Sequence, residues 1–381
     1  MIDKLNDSCC GCGACKDFCP HSAIDFQINK DGFFYPYINK DKCTECNACE
    51  RICPIISTPP CNLVLSSNAA YSKHKPANSS SGGMFYVFAK EILNQEGVVY
   101  GAAYDDNMYL KHTRVTSLND LPKLCGSKYV QSDCIGIHSK VRQDLKSGLL
   151  VLFSGTPCQV AGLKNFLRRD YDNLILLDLI CHGVPSPGIF ADYIKYCSKL
   201  RNKDVKYFLI RDNRERWDNS FRSTLTFKDG KQEYNSMLTN LWNRIFFSEL
   251  AIRKNCEDCK FANMNRIGDI SLGDFWGIEA VNHEMYHKDG VSLILINTQK
   301  GEKLFSKISN KITSSIANTC EKEHPNLYHS IKQNPRRIEF MDDYITHGFP
   351  YIANKFFGYN RKLDFKIRLS MFVKKIKNLW I

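Results

Sequence analysis

The chain has 381 residues, of which 43% are hydrophobic and 24% charged, as in a globular protein with an apolar core. Its net charge of +12 favours acidic proteins, phosphorylated ligands or a membrane surface, whereas no motif indicates nucleic acid as a partner. The N-terminus does not resemble an export signal and no apolar run could span a bilayer, so we expect a cytoplasmic location, where the eighteen cysteines stay reduced and can bind metal.

The first sixty residues contain two cysteine quartets with the same spacing, C-x2-C-x2-C-x3-C-P. Bacterial ferredoxins with two [4Fe–4S] clusters use this spacing, and the fourth cysteine of each quartet binds the cluster of the other. Zinc is the alternative, but zinc sites usually separate their cysteine pairs by a longer loop. The predicted ligand sets are Cys9, Cys12, Cys15 and Cys53 for one cluster and Cys43, Cys46, Cys49 and Cys19 for the other. Cys10 fits neither set and is expected to be a spectator.

The segment between the quartets alternates apolar and polar residues around Asp31-Gly32, which predicts a β-hairpin. A proline-containing linker follows and closes this part of the chain near residue 60. We therefore expect residues 1–60 to form a small two-cluster ferredoxin-like domain.

Two turns that lie further along the chain, at 79–83 and 125–132, suit an anionic ligand. A serine- and glycine-rich loop at 79–83 precedes an apolar-periodic helix ending at Gly97, and "GVVYGAAYD" then predicts a strand. Free N–H groups at such a helix start can bind phosphate, although an ordinary helix cap explains the same residues. The second turn, at 125–132, offers one lysine, Lys128.

The body of the chain contains a predicted strand, helix and strand at 149–153, about 157–168 and 174–180. A right-handed crossover makes the two strands parallel, so their carboxyl ends lie at the same edge of the sheet. Cys158 and Cys181 each follow one of these strands. We therefore expect the two cysteines to meet at that edge, where ligands bind in such sheets.

A further C-x2-C pair, Cys256 and Cys259, raises the number of candidate thiolates in the body to four. Four thiolates could hold a third [4Fe–4S] cluster or a structural zinc ion, and the pair alone could be a redox-active dithiol. Cys158 lies at a predicted helix N-terminus, which would lower its pKa and favour a nucleophilic thiolate. His182 is a candidate proton donor, with a structural role as the alternative.

The stretch 265–279 predicts a strand that leads into a glycine-punctuated turn. It carries Asp269, Asp274 and Trp276, which mark either a buried strand end or the wall of an active site. The chain has neither a G-x-G-x-x-G dinucleotide motif nor a P-loop, so no motif supports nicotinamide or ATP binding.

In this order the motifs resemble the coenzyme F420 hydrogenase/dehydrogenase beta-subunit family, in its longer form with an N-terminal two-cluster ferredoxin domain. The resemblance covers residues 1 to about 300 and rests on the quartets together with "SSSGGMF", "VVYGAAYD", "GSKYVQS", "LFSGTPCQVAGLKNFL", "LDLICHGVPSP", "CEDCKFA" and "RIGDISLGDFWG".

The resemblance implies an iron–sulfur flavoprotein with FAD in the body and a [4Fe–4S] cluster close to the flavin. It makes the two turns FAD-binding candidates, namely Ser81, Gly82, Gly83, Gly126, Ser127, Lys128 and Tyr129. It also implies that the flavin-proximal cluster is held by Cys158, Cys181, Cys256 and Cys259.

The expected fold is α+β and α/β, with three parts. The ferredoxin domain at 1–60 precedes a FAD- and [4Fe–4S]-binding body at 61–310 with a mainly parallel βαβ core, and a basic helical extension occupies 311–381. The expected function is transfer of electrons from a low-potential donor such as ferredoxin through three clusters to FAD and an organic substrate, either a small molecule or a glycan-pathway compound. The alternatives are an electron-transfer subunit that feeds a partner enzyme, including one of polysaccharide biosynthesis, and reduction of coenzyme F420.

The C-terminal segment predicts a basic amphipathic helix. Its apolar stripe consists of Phe365, Leu369, Phe372, Ile376 and Leu379. Such a helix suits peripheral contact with an anionic membrane surface, and packing of the helix on its own domain is the alternative.

Overall fold

The computed structural model describes residues 2–214, 217 and 221–377, apart from the side chains of residues 3, 4, 368 and 371–377. The strands are β1 (Ile24–Ile28), β2 (Phe34–Ile38), β3 (Ser66–Ser72), β4 (Val98–Tyr104), β5 (Leu110–Val115), β6 (Val151–Gly155), β7 (Leu174–Leu179), β8 (Val205–Leu209), β9 (Thr224–Phe227), β10 (Gln232–Tyr234), β11 (Ile270–Asp274), β12 (Ser292–Ile296) and β13 (Ile312–Ile316).

The α-helices alternate with these strands over much of the chain. They are α1 (Ala14–Phe18), α2 (Ala48–Arg51), α3 (Met84–Asn94), α4 (Ile137–Lys146), α5 (Pro157–Leu167), α6 (Pro187–Arg201), α7 (Leu241–Phe247), α8 (Ile278–Val281), α9 (Gln299–Lys307), α10 (Arg337–His347), α11 (Phe349–Phe357) and α12 (Arg361–Lys377). Short 3₁₀ turns lie between them, including one at Lys254–Asp258.

The N-terminal unit consists of a hairpin and two helical turns. Strands β1 and β2 pair antiparallel, and Gly32 in their connection has a positive φ of 79°, which confirms the predicted hairpin. Helix α1 begins inside the first quartet and α2 inside the second, so each quartet wraps around one helical turn.

The body is built on an eight-stranded sheet in the order β13-β3-β12-β11-β7-β6-β4-β5. The neighbours among β4, β6, β7 and β11 pair parallel, whereas the strands at both ends pair antiparallel. The sheet is therefore mixed, and the expected mainly parallel core is confined to its middle. Parallel pairing requires crossover connections, but β5 follows β4 by a short hairpin and β12 returns beside β11.

The predicted βαβ unit is confirmed in the middle of this sheet. Strands β6 and β7 are parallel neighbours, and α5 connects them. The helix begins at Pro157 because Thr156 forms a capping box with Gln159 and proline is well suited to the first helical position. This places Cys158 in the first turn of α5, at the carboxyl edge of the sheet.

The residues after 310 are not helical throughout, in contrast to the expected extension. Strand β13 extends the large sheet by pairing with β3. Helices α10 and α11 bury Phe340 and Phe349 in a core that they share with α6, α7 and the small antiparallel sheet β10-β9-β8.

Helix α12 confirms the predicted C-terminal helix as far as residue 377. Its first turns pack on the body, since Asp364 is buried against Arg201 at 2.6 Å. Phe365 and Leu369 are 66% and 52% exposed. Of the remaining stripe, the side chains of Phe372 and Ile376 and the whole of Leu379 lie outside the described residues.

The N-terminal unit and the body share one apolar core. Ala14 and Ile52 of the N-terminal unit pack in the same cluster as Val160, Leu163 and Phe166 of α5. Among the described residues, no helix combines the length and apolar character that crossing a membrane requires.

Candidate functional site

The outer cysteine site, defined as Cys19, Cys43, Cys46 and Cys49, lines a single small cavity in the N-terminal unit. Its fourth cysteine comes from the other quartet, as the spacing predicts. Cys46 is exposed, and the backbone N–H of Ala48 lowers the pKa of its thiol. This site therefore faces solvent.

The inner cysteine site, defined as Cys9, Cys12, Cys15 and Cys53, is buried. Burial raises the pKa of the Cys15 thiol well above its usual value, and the neighbouring Cys9 and Cys53 raise it further. The structure thus brings the predicted set together, including its crossed fourth cysteine. Four soft thiolates suit an iron–sulfur cluster.

The body cysteine site, defined as Cys158, Cys181, Cys256 and Cys259, lies at the carboxyl edge of the sheet. All four cysteines line one cavity. Cys158 lies in the first turn of α5 and Cys181 follows β7, whereas Cys256 lies in the 3₁₀ turn Lys254–Asp258 and Cys259 directly follows that turn. Burial, followed by the nearby Cys158 and Cys259, raises the pKa of Cys181 to about 12. The expected meeting of Cys158 and Cys181 at this edge of the sheet is confirmed.

The expected low pKa of Cys158 is wrong. Its interaction with the thiol of Cys10 and its burial raise the pKa well above the usual value, despite its place at a helix N-terminus. Burial likewise raises the pKa of Cys259 to about 11. Without metal these thiols stay protonated, which disfavours the nucleophile and dithiol interpretations.

A site for one metal ion differs from the cysteine sets, which would hold clusters. Within the described part of the chain, no three His, Cys, Asp or Glu side chains are arranged to hold one metal ion.

A large cavity of about 690 Å³ opens beside the body cysteine site. Residues 181–184 line both cavities, so only this segment of chain separates them there. A volume of this size is in the range of small-molecule and cofactor sites.

The two anion-binding turns predicted from the sequence lie together in this cavity. The wall includes Ser81, Gly83, Gly126, Ser127, Lys128 and Tyr129. Gly82 is the exception, because a Cβ there would meet the Ala70 carbonyl oxygen at 2.4 Å, so it packs against the sheet. The Ser127 N–H donates to Ser80 Oγ, which joins the two turns.

Lys128 supports its own turn instead of presenting a free charge. Its ammonium donates to the carbonyls of Leu124, Cys125 and Gly126 at 3.1, 2.8 and 3.1 Å. Burial lowers the pKa of this amine to about 8. The three donors of the ammonium are thus used within the turn.

Aromatic and ionic side chains complete the wall of the large cavity. Tyr129 stacks on Phe246 with ring centroids 4.1 Å apart, and Phe247 lies edge-on to both rings. Asp274 of β11 is paired with the buried Arg211, whose guanidinium lies over the ring of Trp276. Asp274 and Trp276 therefore belong to the cavity wall, as one of the two interpretations predicted.

Asp269 lies elsewhere and has a structural role. Its carboxylate accepts hydrogen bonds from the Leu176 N–H at 2.8 Å and from Thr298 Oγ1 at 2.6 Å. It therefore ties β11 to β7 and to the start of α9.

His182 lines the cavity between two polar partners. Its Nε2 lies 3.0 Å from Glu249 Oε1, and Asn326 Nδ2 lies 3.4 Å from its Nδ1. Burial lowers the pKa of His182, and Glu249 opposes this effect. Asn326 belongs to the segment 322–326, which lines the cavity although sequence reasoning assigned it no role.

The inner and body cysteine sites are adjacent through Cys10 and α5. The Cys10 thiol interacts with those of Cys12 and Cys158. A Cβ on Gly162 of α5 would lie only 2.8 Å from Cys12 Sγ. The inner site therefore packs directly on α5, the helix whose first turn contains Cys158.

A buried arginine holds the N-terminal unit on the body. Arg253 donates to the Cys9 carbonyl at 2.6 Å, to Gln131 Oε1 at 2.9 Å and to the Phe34 carbonyl at 3.1 Å. Its guanidinium also lies 4.2 Å from the centroid of the Tyr35 ring. No motif signalled this residue, since its partners are more than a hundred positions away in the chain.

Comparison with known families accounts for this arrangement. Residues 149–321 match the family described as the C-terminal part of the coenzyme F420 hydrogenase/dehydrogenase beta subunit. Residues 8–55 match the 4Fe-4S dicluster domain family. The chain thus combines a domain of the coenzyme F420 hydrogenase/dehydrogenase beta-subunit family with an N-terminal 4Fe-4S dicluster domain. The resemblance seen in the sequence is confirmed, and this beta-subunit-like protein is an iron–sulfur protein of an oxidoreductase family.

The chain is also similar to two individual proteins. The coenzyme F420-dependent sulfite reductase of Methanocaldococcus jannaschii is 24% identical over 327 residues, which are 81% of this chain and 48% of the relative. The beta-subunit-like chain thus spans about half the length of that enzyme. A chain of the F420-reducing [NiFe] hydrogenase complex from Methanosarcina barkeri superimposes with a TM-score of 0.44 at 14% identity, covering 78% of this chain and 92% of that one.

Proposed function

We propose that the protein is an iron–sulfur flavoprotein oxidoreductase. It accepts electrons from a low-potential donor such as ferredoxin and passes them through three [4Fe–4S] clusters to FAD and an organic substrate. The observation that carries the proposal is the continuous series of sites: the outer, inner and body cysteine sites follow one another, and the body site adjoins the large cavity through residues 181–184.

The third cluster is supported by the donor set of the body cysteine site. Its ligands are four cysteines that line one cavity, and thiolate sulfur is the soft ligand that iron–sulfur clusters prefer. Zinc accepts the same ligands. A position between the inner site and a cofactor-sized cavity favours a redox-active cluster, because zinc has no redox chemistry.

FAD is supported by the shape and lining of the large cavity. The loops at 79–83 and 126–129 would hold it, since Gly83 caps the N-terminus of α3 and helix N-termini attract phosphate groups. The apolar wall at Tyr129 and Phe246 suits a flat ring system. When bound, FAD supplies the conversion between one-electron and two-electron chemistry.

Residues of the chain itself shape the remaining space for a substrate. The Arg211–Asp274 pair fixes the ionic wall, and segment 322–326 covers the side of the cavity next to His182. His182 stays the candidate proton donor, because it lines the cavity and its Nε2 lies 3.0 Å from Glu249 Oε1.

A second function is an electron-transfer subunit that feeds a partner enzyme. It is favoured by one observation, that the chain corresponds to only about half of the sulfite reductase to which it is similar. A partner chain would then carry the substrate chemistry. Reduction of coenzyme F420, which the name of that relative mentions, is the third proposal.

The test is cofactor analysis of the full chain purified without oxygen. We expect about twelve irons per chain and FAD released on denaturation. Cys256→Ala should leave about eight irons with the FAD retained, whereas the matched control Cys197→Ala, a buried cysteine of a separate core, should keep all of them. Folded protein without flavin, or unchanged iron in Cys256→Ala, would contradict the proposal. Turnover with a chemical reductant in the absence of partners separates the first function from the second.

A further inference from the structure

Cys10 belongs to neither quartet set, yet the fold places it between two cysteine sites. It is 4% exposed and lines the cavity of the body cysteine site together with Cys158, Cys181, Cys256 and Cys259. Its neighbours in the chain, Cys9 and Cys12, belong to the inner site. The expected spectator is therefore the fifth thiol of the body cavity.

Cys10 lies next to both sites. It lines the body cavity together with Cys158, and its thiol interacts with those of Cys12 and Cys158. Through the backbone it is also bonded directly to Cys9. Cys10 thus gives a direct covalent connection from Cys9 of the inner site into the body cavity.

The position of Cys10 is fixed by buried donors of the body. Gln131 Nε2 donates to the Cys10 carbonyl at 2.9 Å, and Arg253 Nε donates to the Cys9 carbonyl at 2.6 Å. Gly11 has a positive φ of 70°, and a Cβ there would meet Gln131 Nε2 at 2.6 Å. The turn therefore fits closely against the side chains of Gln131 and Arg253, which holds the backbone of Cys10 in place.

We propose that Cys10 is the bridge for electron transfer between the inner cluster and the body cluster. This inference rests on the proposed function, in which both sites hold [4Fe–4S] clusters. The inner and body cysteine sites would hold the two clusters, and a single electron would pass from one to the other with no bond made or broken and no proton moved. Cys10 is not a ligand in this arrangement, because each cluster already has four cysteines.

The test uses the full chain with Cys10→Ala and Cys10→Ser, and Cys197→Ala as the buried-cysteine control. Electrons are supplied by a reduced bacterial two-cluster ferredoxin, and cluster spectra and flavin reduction are followed after rapid mixing. In Cys10→Ala we expect unchanged iron content and unchanged midpoint potentials, with oxidation of the inner cluster by the body cluster slowed severalfold. Cys10→Ser should fall between the wild type and Cys10→Ala. Photochemical reduction of the flavin, which bypasses the clusters, should keep its wild-type rate.

Three outcomes would overturn the bridge. Transfer at the control rate with intact clusters would show that Cys10 only packs, and loss of about four irons would show that it is a ligand. Slower transfer with a shifted midpoint potential would show that it tunes a cluster instead. Absence of a third cluster or of flavin from the wild type is a different result, because it contradicts the proposed function.

Discussion

The outer and inner cysteine sites have the same ligand spacing but opposite surroundings. At the outer site Cys46 faces solvent, and the cavity is formed by residues of the N-terminal unit alone. At the inner site the cysteines are 6–7% exposed and pack against α5 of the body. An exposed site suits the acceptance of electrons from a partner, and a buried one suits their transfer onward. The spacing determines which ligands bind, and the packing determines what each site can do.

The largest effect is expected for Arg253→Ala, which removes the buried arginine that clamps the N-terminal unit to the body. Arg253 is fully buried and its hydrogen bonds to Cys9, Phe34 and Gln131 would leave three acceptors unpaired. We expect the free energy of unfolding to fall by about 3–5 kcal/mol, because each lost bond to a buried charged group is costly. Chemical unfolding of the full chain measures this loss.

The control for Arg253 is Lys254→Ala, the next residue in the chain. Its amine pairs with Glu257 at the surface of the body and is one-third exposed. If Lys254→Ala lowered the free energy of unfolding as much as Arg253→Ala, the loss would not be specific to the contacts that Arg253 makes with the inner site.

The second test is Gly162→Ala, which adds one methyl group beneath the inner site. The new Cβ would lie 2.8 Å from Cys12 Sγ, so the cysteine or the helix must move. Overpacking of this kind costs about 1–3 kcal/mol. We expect an altered spectrum of the inner cluster and an unchanged outer cluster, as measured by electron paramagnetic resonance.

The matched control is Gly101→Ala in β4, where the nearest atom to a new Cβ is 3.5 Å away. It should leave both clusters of the N-terminal unit unchanged. Equal disturbance of the outer and inner clusters by Gly162→Ala would show that the two sites are not packed independently.

The third test removes metal without any mutation. A mild oxidant such as ferricyanide reaches the exposed outer site first, because the inner cysteines are buried under α5. We expect the outer cluster to lose its signal first, with release of about four irons before the rest. Simultaneous loss of both signals would contradict the difference in shielding.

Sequence patterns predicted the local parts of this arrangement well. The ligand sets of both quartets follow from spacing, and the meeting of Cys158 and Cys181 follows from parallel strands that end at one edge. The two loops that line the cavity were also found, because a glycine-rich helix start is a local signal.

The parts that the sequence did not predict depend on packing between distant segments. Arg253 and Gln131 meet the quartet across more than a hundred residues, and Cys10 acquires neighbours only when the two units dock. Segment 322–326 reaches the cavity because β13 returns the chain to the sheet. The hydrogen bonds of Lys128 were not predicted either, since three carbonyls of its own turn accept from the ammonium.

The smallest expected effect is on the solvent-facing side of the N-terminal unit, at Asp25→Asn. Asp25 pairs with Lys16 at 2.5 Å, and a hydrogen bond from Lys16 lowers the pKa of the Asp25 carboxyl. Its side chain is 70% exposed, so the pair should contribute no more than about 0.5 kcal/mol. Because the folded pKa is below the unfolded one, this contribution is present above the unfolded pKa of about 4 and is lost as the pH falls through the folded value. Wild type and variant should therefore differ slightly in unfolding free energy at pH 7 and converge in acid. A loss at pH 7 as large as that of Arg253→Ala would show that the outer face is as tightly integrated as the inner one.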